Sequence, residues 1–153
     1  MIRQTIICSA VLLIGVCAYA DADAAKTCEV PIEGNDMMKF DKTEIAIAAD
    51  CTEVKVTLKH VGKLPVTAMG HNWVLTTTPN FQPVANAAAQ AGAAAAYLPK
   101  NDPRVIANTK MIGGGETATI TFPTSKLKKG GDYTFFCSFP GHWSQMKGKL
   151  TFG

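Results

Sequence analysis

The sequence predicts an all-β fold, a sandwich or barrel of short strands with one helical insertion between them. Two observations carry that prediction. From Cys28 onward apolar and polar residues alternate in short runs separated by turn residues, which is the period of half-buried strands. Only one segment, rich in alanine, has sustained helix propensity. A chain of 153 residues has the length of one ordinary domain, large enough to bury a core without splitting in two.

The first strand is Cys28-Glu29-Val30-Pro31-Ile32. Pro31 lacks an amide proton, which places this strand at an edge or a bulge. Ile45 and Ile47 mark a second strand over 44–48, and Val54, Val56 and Leu58 a third over 53–60. Further strands are predicted over 72–76, 117–122, 133–137 and 149–152. The alanine-rich segment 84–98 reads as a helical insertion. Nothing after Pro99 has the composition of a separate domain.

The first residues have a different chemistry. Met1-Ile2-Arg3 supplies a positive start, residues 6–18 an apolar run, and Ala20-Asp21-Ala22-Asp23-Ala24 small residues at the spacing a signal peptidase requires. The apolar run falls short of the ~20 residues of a membrane span, and Val16 is too large to precede a lipid-modified Cys17. Residues 1–24 therefore read as a cleaved secretory leader, with Ala20 and Ala22 as further cleavage points that obey the same rule. Residues 25–153 are the mature domain, exported to the periplasm. Loss of Arg3, Asp21 and Asp23 raises the formal net charge from +3 to +4. The lysines are scattered apart from Lys126-Leu127-Lys128-Lys129, without interleaved aromatic residues. That pattern speaks against a nucleic-acid surface and for a solvated loop.

Removing Cys8 and Cys17 with the leader leaves Cys28, Cys51 and Cys137. In an oxidising compartment two of three thiols pair and one is left for another role. Cys28 and Cys51 flank the early strands, whereas Cys137 lies far away in a terminal motif, so the predicted bridge is Cys28–Cys51.

That terminal motif is Phe135-Phe136-Cys137-Ser138-Phe139-Pro140-Gly141-His142-Trp143-Ser144-Gln145-Met146-Lys147-Gly148. It brings a thiol, an imidazole and a thioether together, and Pro140-Gly141 makes a tight turn that can fold His142 back toward the sulfur. A second imidazole, His71, occurs in Met69-Gly70-His71-Asn72-Trp73 at the start of a predicted strand. Two imidazoles, an unpaired thiolate and a thioether are the ligand set of a mononuclear copper site. Cu(I) favours soft sulfur and Cu(II) favours nitrogen. One thiolate and two imidazoles suit both, and a weak axial thioether forces neither geometry.

These motifs, together with Gly34-Asn35-Asp36 and Arg104-Val105-Ile106-Ala107, resemble the azurins, small blue copper proteins among the cupredoxins. The resemblance covers nearly all of residues 25–153, and the spacing C-x4-H-x3-M with an upstream G-H-N-W carries it. It implies an eight-stranded Greek-key sandwich with a helix outside it. It also implies one copper ion held by His71, Cys137 and His142, with Met146 as a distant axial ligand and the Gly70 carbonyl as a second weak axial contact. Asn72 would tether the two ligand loops, and backbone N–H groups near Ser138 and Phe139 would bond the thiolate. The implied function is one-electron transfer without enzymatic turnover. The implied partners are transient ones such as c-type cytochromes, nitrite reductase or amine dehydrogenases, met by a monomer. Trp143 beside the last histidine, and Asn108 where some relatives carry a surface histidine, depart from the best-known azurins.

Other residues have plainer readings. His60 follows the buried alternation of Val54, Val56 and Leu58 and reads as a core histidine, and Trp73 as core filling. Met37, Met38, Met69 and Met111 are too dispersed for a methionine-rich copper-loading motif. Met69, Phe81, Phe139 and Pro140, with Trp143, are expected to form an apolar docking patch around an exposed edge of His142. A thiol hydrolase with Cys137 as nucleophile and His142 as base lacks an obvious oxyanion loop and a third group to orient the base. A copper chaperone or storage protein without redox turnover, or a zinc module, would use the same donors, but the weak axial Met146 favours the electron carrier.

Overall fold

Strand periodicity decides the core. In β4 (Glu53–His60) Val54, Val56, Leu58 and His60 are fully buried while the residues between them reach solvent, so one face of the strand covers the interior. β1 (Thr27–Asn35) repeats the pattern with Val30 and Ile32 inside. The computed structural model describes residues 25–153, and the leader predicted for residues 1–24 lies outside the described residues.

The remaining strands are β2 (Lys39–Phe40), β3 (Glu44–Ile47), β5 (Val74–Thr77), β6 (Val105–Asn108), β7 (Thr117–Pro123), β8 (Tyr133–Phe136) and β9 (Lys147–Phe152). One sheet has the order β2-β1-β4-β7 and the other β3-β9-β8-β5-β6. Both are mixed: β1 runs parallel to β4 and β3 parallel to β9, and the other neighbours are antiparallel. The fold is thus the two-sheet all-β architecture that the alternation predicts, with nine strands among the described residues. β2 and β6 carry too short a pattern to be read from sequence. Pro31 lies on the open flank of β1, since β4 pairs along the whole strand while β2 reaches only Gly34 and Asn35.

The helical insertion differs from its predicted bounds of 84–98. A short helix α1 (Val66–Met69), not predicted, precedes β5, and the main helix α2 covers Phe81–Ala91. Pro83 falls in the first turn of α2, where its missing N–H has no intrahelical acceptor to satisfy. Gly92, at φ 69°, breaks the helix, and only a 3-10 turn over Ala93–Ala95 follows. Val84, Ala85 and Ala88 form the buried face of α2.

Two apolar clusters result. The larger lies between the sheets, where Trp73 stacks with Phe122 and Phe135, and it includes Cys137 and Met146. The smaller joins Val74 and Phe136 to Val84 and Ala85 of α2. Cys28 and Cys51 are bonded, 23 residues apart, and so tie the start of β1 to the turn before β4. Such a loop closure contributes about 3 kcal/mol by restricting the unfolded chain. Replacing both cysteines with alanine is expected to lower the stability of the mature domain by about that amount, read as a shift of the urea midpoint at constant m-value.

Candidate metal centre

Three chain segments meet at one end of the sandwich. His71 is fixed at the mouth of β5 by a backbone bridge to Ile112, each N–H donating to the other's carbonyl at 2.9 and 2.8 Å. Cys137 follows β8, and its N–H donates to the Met146 carbonyl at 2.9 Å. Between them the chain folds back at Phe139-Pro140-Gly141-His142, where His142 N–H donates to the Phe139 carbonyl at 3.0 Å. Gly141, at φ 80° and ψ −21°, occupies the third position of a type II turn, which favours glycine. The Met146 N–H donates to the His142 carbonyl at 2.7 Å and closes the loop.

This brings three donor atoms together. Cys137 Sγ lies 3.9 Å from His71 Nδ1 and 3.7 Å from His142 Nδ1, and all three atoms fall within 4.8 Å of one another. Around a single ion in a trigonal plane, with metal–sulfur ~2.3 Å and metal–nitrogen ~2.0 Å, sulfur and nitrogen stand ~3.7 Å apart. The cluster therefore fits one metal ion, and two imidazoles with a thiolate and a nearby thioether fit copper. The Gly70 carbonyl oxygen lies 2.9 Å from His71 Nδ1 and 3.7 Å from Cys137 Sγ, at the edge of the same space.

The two imidazoles are held differently. His71 is fully buried, and burial lowers its basicity, which favours the neutral ring with one proton. Placed on Nε2, that proton is donated to the Asn35 carbonyl at 2.9 Å and Nδ1 is left free to ligate. His60 stacks on the same ring at 4.2 Å. It accepts from Gly62 N–H at Nδ1 and donates through Nε2 to the Met69 carbonyl, so it is a satisfied core histidine. His142 retains only 3% exposure, less than the exposed edge expected from sequence. Trp73 Nε1 is the one fully buried side-chain polar atom without a partner among the described residues. His142 Nε2, which has no protein partner either, is therefore the atom that solvent reaches.

Electrostatics follow from burial. Desolvation pushes the Cys137 thiol up to about 12, against the opposing pull of the Asn72 and Phe139 N–H groups. Ser138 N–H donates to Asn72 Oδ1 at 2.8 Å, and Asn72 Nδ2 donates to Ser138 Oγ at 2.8 Å. Those two bonds link the His71 and Cys137 segments. His142 is pushed down to about 4, first by desolvation and then by the neighbouring His71 and His60.

Two glycines make room. A Cβ at Gly34 would meet His71 Cδ2 at 2.8 Å and Met146 Cε at 3.3 Å, which places the Met146 methyl and the His71 ring over the same glycine. A Cβ at Gly70 would meet Phe139 Cδ2 at 2.9 Å and Met111 Sδ at 3.0 Å. Of the expected docking patch, Phe139 packs against the larger apolar cluster and Phe81 and Trp143 against the smaller. Phe81 and Trp143 pack edge to face at 6.2 Å against the smaller cluster under α2, because Phe81 opens that helix and Phe136 faces it. Met69 and Phe139 are half-buried and Pro140 is exposed. Leu64 and Val66, both 41% exposed, add apolar surface that the sequence reading missed.

Residues 26–153 match the family model described as copper binding proteins, plastocyanin/azurin family. Azurin-1 of Alcaligenes xylosoxydans xylosoxydans is 54% identical over 123 residues, covering 80% of this chain and 95% of that protein. The azurin of Bordetella pertussis is 50% identical over 133 residues, covering 87% and 89%. The solved azurin (Az-iso2) of the obligate methylotroph Methylomonas sp. strain J superposes with a TM-score of 0.79 at 42% identity, covering 82% of this chain and 98% of that one. With the sandwich, the buried His71, Cys137 and His142 cluster and these relatives in agreement, the chain belongs to the plastocyanin/azurin family of copper-binding proteins.

Proposed function

We propose that this protein is a periplasmic one-electron carrier in which His71, Cys137 and His142 would hold one copper ion. Met146 and the Gly70 carbonyl would be further, weaker contacts. The observation that carries it is the buried donor triangle of His71, Cys137 and His142, whose ligand atoms lie within 4.8 Å of one another. A bound copper ion supplies one reversible electron by alternating between Cu(II) and Cu(I). The protein's part is to hold the donors still. His71 is fixed by Asn35 and Ile112, Cys137 by the Met146 carbonyl, and the two segments by the paired bonds of Asn72 and Ser138.

Transfer to a partner runs through the His142 edge, which alone of the donors touches solvent. In this reading Met69, Phe139 and Pro140 line the docking surface beside it and form a short-lived contact with partners such as c-type cytochromes, nitrite reductase or amine dehydrogenases. A carrier must release its partner, so the contact belongs at the small end of interface sizes. The predicted leader and the Cys28–Cys51 bond both suit an oxidising compartment.

Copper(II) added to the metal-free domain is expected to give an intense blue band that bleaches on one-electron reduction and returns on oxidation. Cys137→Ser removes the band while leaving the far-UV dichroism unchanged. Metal transfer to an acceptor without reversible bleaching would instead mark a copper chaperone.

The buried donors also fix a pH dependence. In the metal-free protein the unfolded chain takes up a proton at the His142 position below its ordinary value of 6.5, whereas the folded chain does so only near 4. Stability therefore falls as pH drops through that window. The thiol of Cys137 ionises near 9 when unfolded and near 12 when folded, so stability falls again as pH rises between those values. Urea midpoints of the metal-free domain at pH 5, 7.5 and 10.5 are expected to be highest at the middle value. The alkaline fall disappears in the loaded protein, where the metal has already displaced the thiol proton.

A further inference from the structure

We propose that Tyr97, on the alanine-rich insertion, is a positioning residue for the metal centre that acts through Phe139 on His142. The inference rests on the assignment of His142 as a metal ligand and adds a residue that the ligand motif does not contain.

The starting point is an asymmetry between the two imidazoles. A ligating histidine is normally oriented by a hydrogen bond from its second nitrogen. His71 has that bond, to the Asn35 carbonyl. His142 does not, because its Nε2 faces the solvent side. Its ring must be oriented by packing. One neighbour is the His71 ring at 5.1 Å and the other is Phe139, whose ring lies 4.6 Å away and tilted by 37°. Phe139 matters twice, since its backbone carbonyl also accepts the His142 N–H at 3.0 Å.

Phe139 is in turn supported from outside. The Tyr97 ring meets it edge to face, with centroids 5.1 Å apart and planes at 66°, the geometry that the ring quadrupoles favour. Three rings therefore stand in series, Tyr97 on Phe139 on His142. The backbone under Tyr97 is unusual. Ala96 and Tyr97 both have positive φ, 50° and 52°, a left-handed conformation that disfavours residues with a Cβ and persists only where the surroundings impose it. The turn is closed by Ala96 N–H donating to the Ala93 carbonyl and Tyr97 N–H to the Gly92 carbonyl, each at 2.9 Å. Its base is α2, anchored by Val84, Ala85 and Ala88 on the sheet. The strained turn directs the aromatic ring back toward the ligand loop.

The test compares Tyr97→Ala and Tyr97→Phe in the mature domain. Three readouts serve: zinc affinity of the copper-free protein, the His142 ring signals in the copper-free NMR spectrum, and the position and width of the charge-transfer band after copper loading. For Tyr97→Ala the expected result is a loss of zinc affinity of up to about tenfold, exchange broadening of the His142 ring signals and a displaced or broadened band. Tyr97→Phe keeps the ring and is expected to match the unsubstituted protein in all three. If Tyr97→Ala lowers the melting temperature but leaves affinity, ring signals and band unchanged, Tyr97 merely stabilises its loop and the proposal is overturned. It is equally overturned if Tyr97→Phe is as impaired as Tyr97→Ala. Should Tyr97→Ala fail to fold, Tyr97→Leu, which keeps bulk without a ring edge, is measured instead, and unchanged readouts there overturn the proposal too. The unsubstituted protein in the same copper titration tests the ligand assignment separately, since absence of its band would remove that assignment whatever Tyr97 does.

Discussion

Three neutral donors are buried facing one point, and the rest of the site is arranged around that constraint. Desolvation raises the Cys137 thiol and lowers the His71 and His142 imidazoles, so burial favours the uncharged form of each. Among the described residues no lysine or arginine acts on the sulfur, so the charge that makes a thiolate stable there has to come with the metal. This couples ligation to loss of one proton. It also explains why the donors can be packed into the core beside Phe135 and Trp73 without an unpaired charge in the folded metal-free protein.

The scaffold meets the constraint by drawing each donor from a different place. His71 comes from the mouth of β5 and Cys137 from the end of β8, strands that are neighbours in one sheet. Asn35, at the end of β1 in the other sheet, orients His71. The metal position therefore depends on how the two sheets face each other. Gly34 shows how tightly they do so: the His71 ring and the Met146 methyl occupy the space a side chain at that position would need. A donor set carried by one sheet and oriented from the other cannot relax without moving the core, and a close-packed core resists such movement.

His142 is the exception within this rigid frame. It lies in a short turn whose direction is set by Pro140 and Gly141, and its outer nitrogen is left to solvent. Aromatic packing takes over the orienting role, with Phe139 on the ring and Tyr97 on Phe139. The helical insertion, which contributes no ligand, thereby gains a connection to the metal site.

The sequence by itself determined the strand periods, the spacing Cys137, His142 and Met146 within one turn-forming loop, and the parity that leaves one thiol unpaired. Each of these is a local property, readable because alternation, turn chemistry and ligand spacing act over a few residues. It did not determine that α2 would begin at Phe81 and stop at Gly92, that Phe81 and Trp143 would pack against the smaller cluster, or that Ser138 N–H would donate to Asn72. Nor did it show that Asn35 would lock His71, or that Tyr97 would reach Phe139. Those contacts join residues far apart in the chain, and only the packing of two sheets and one helix against each other brings them within reach.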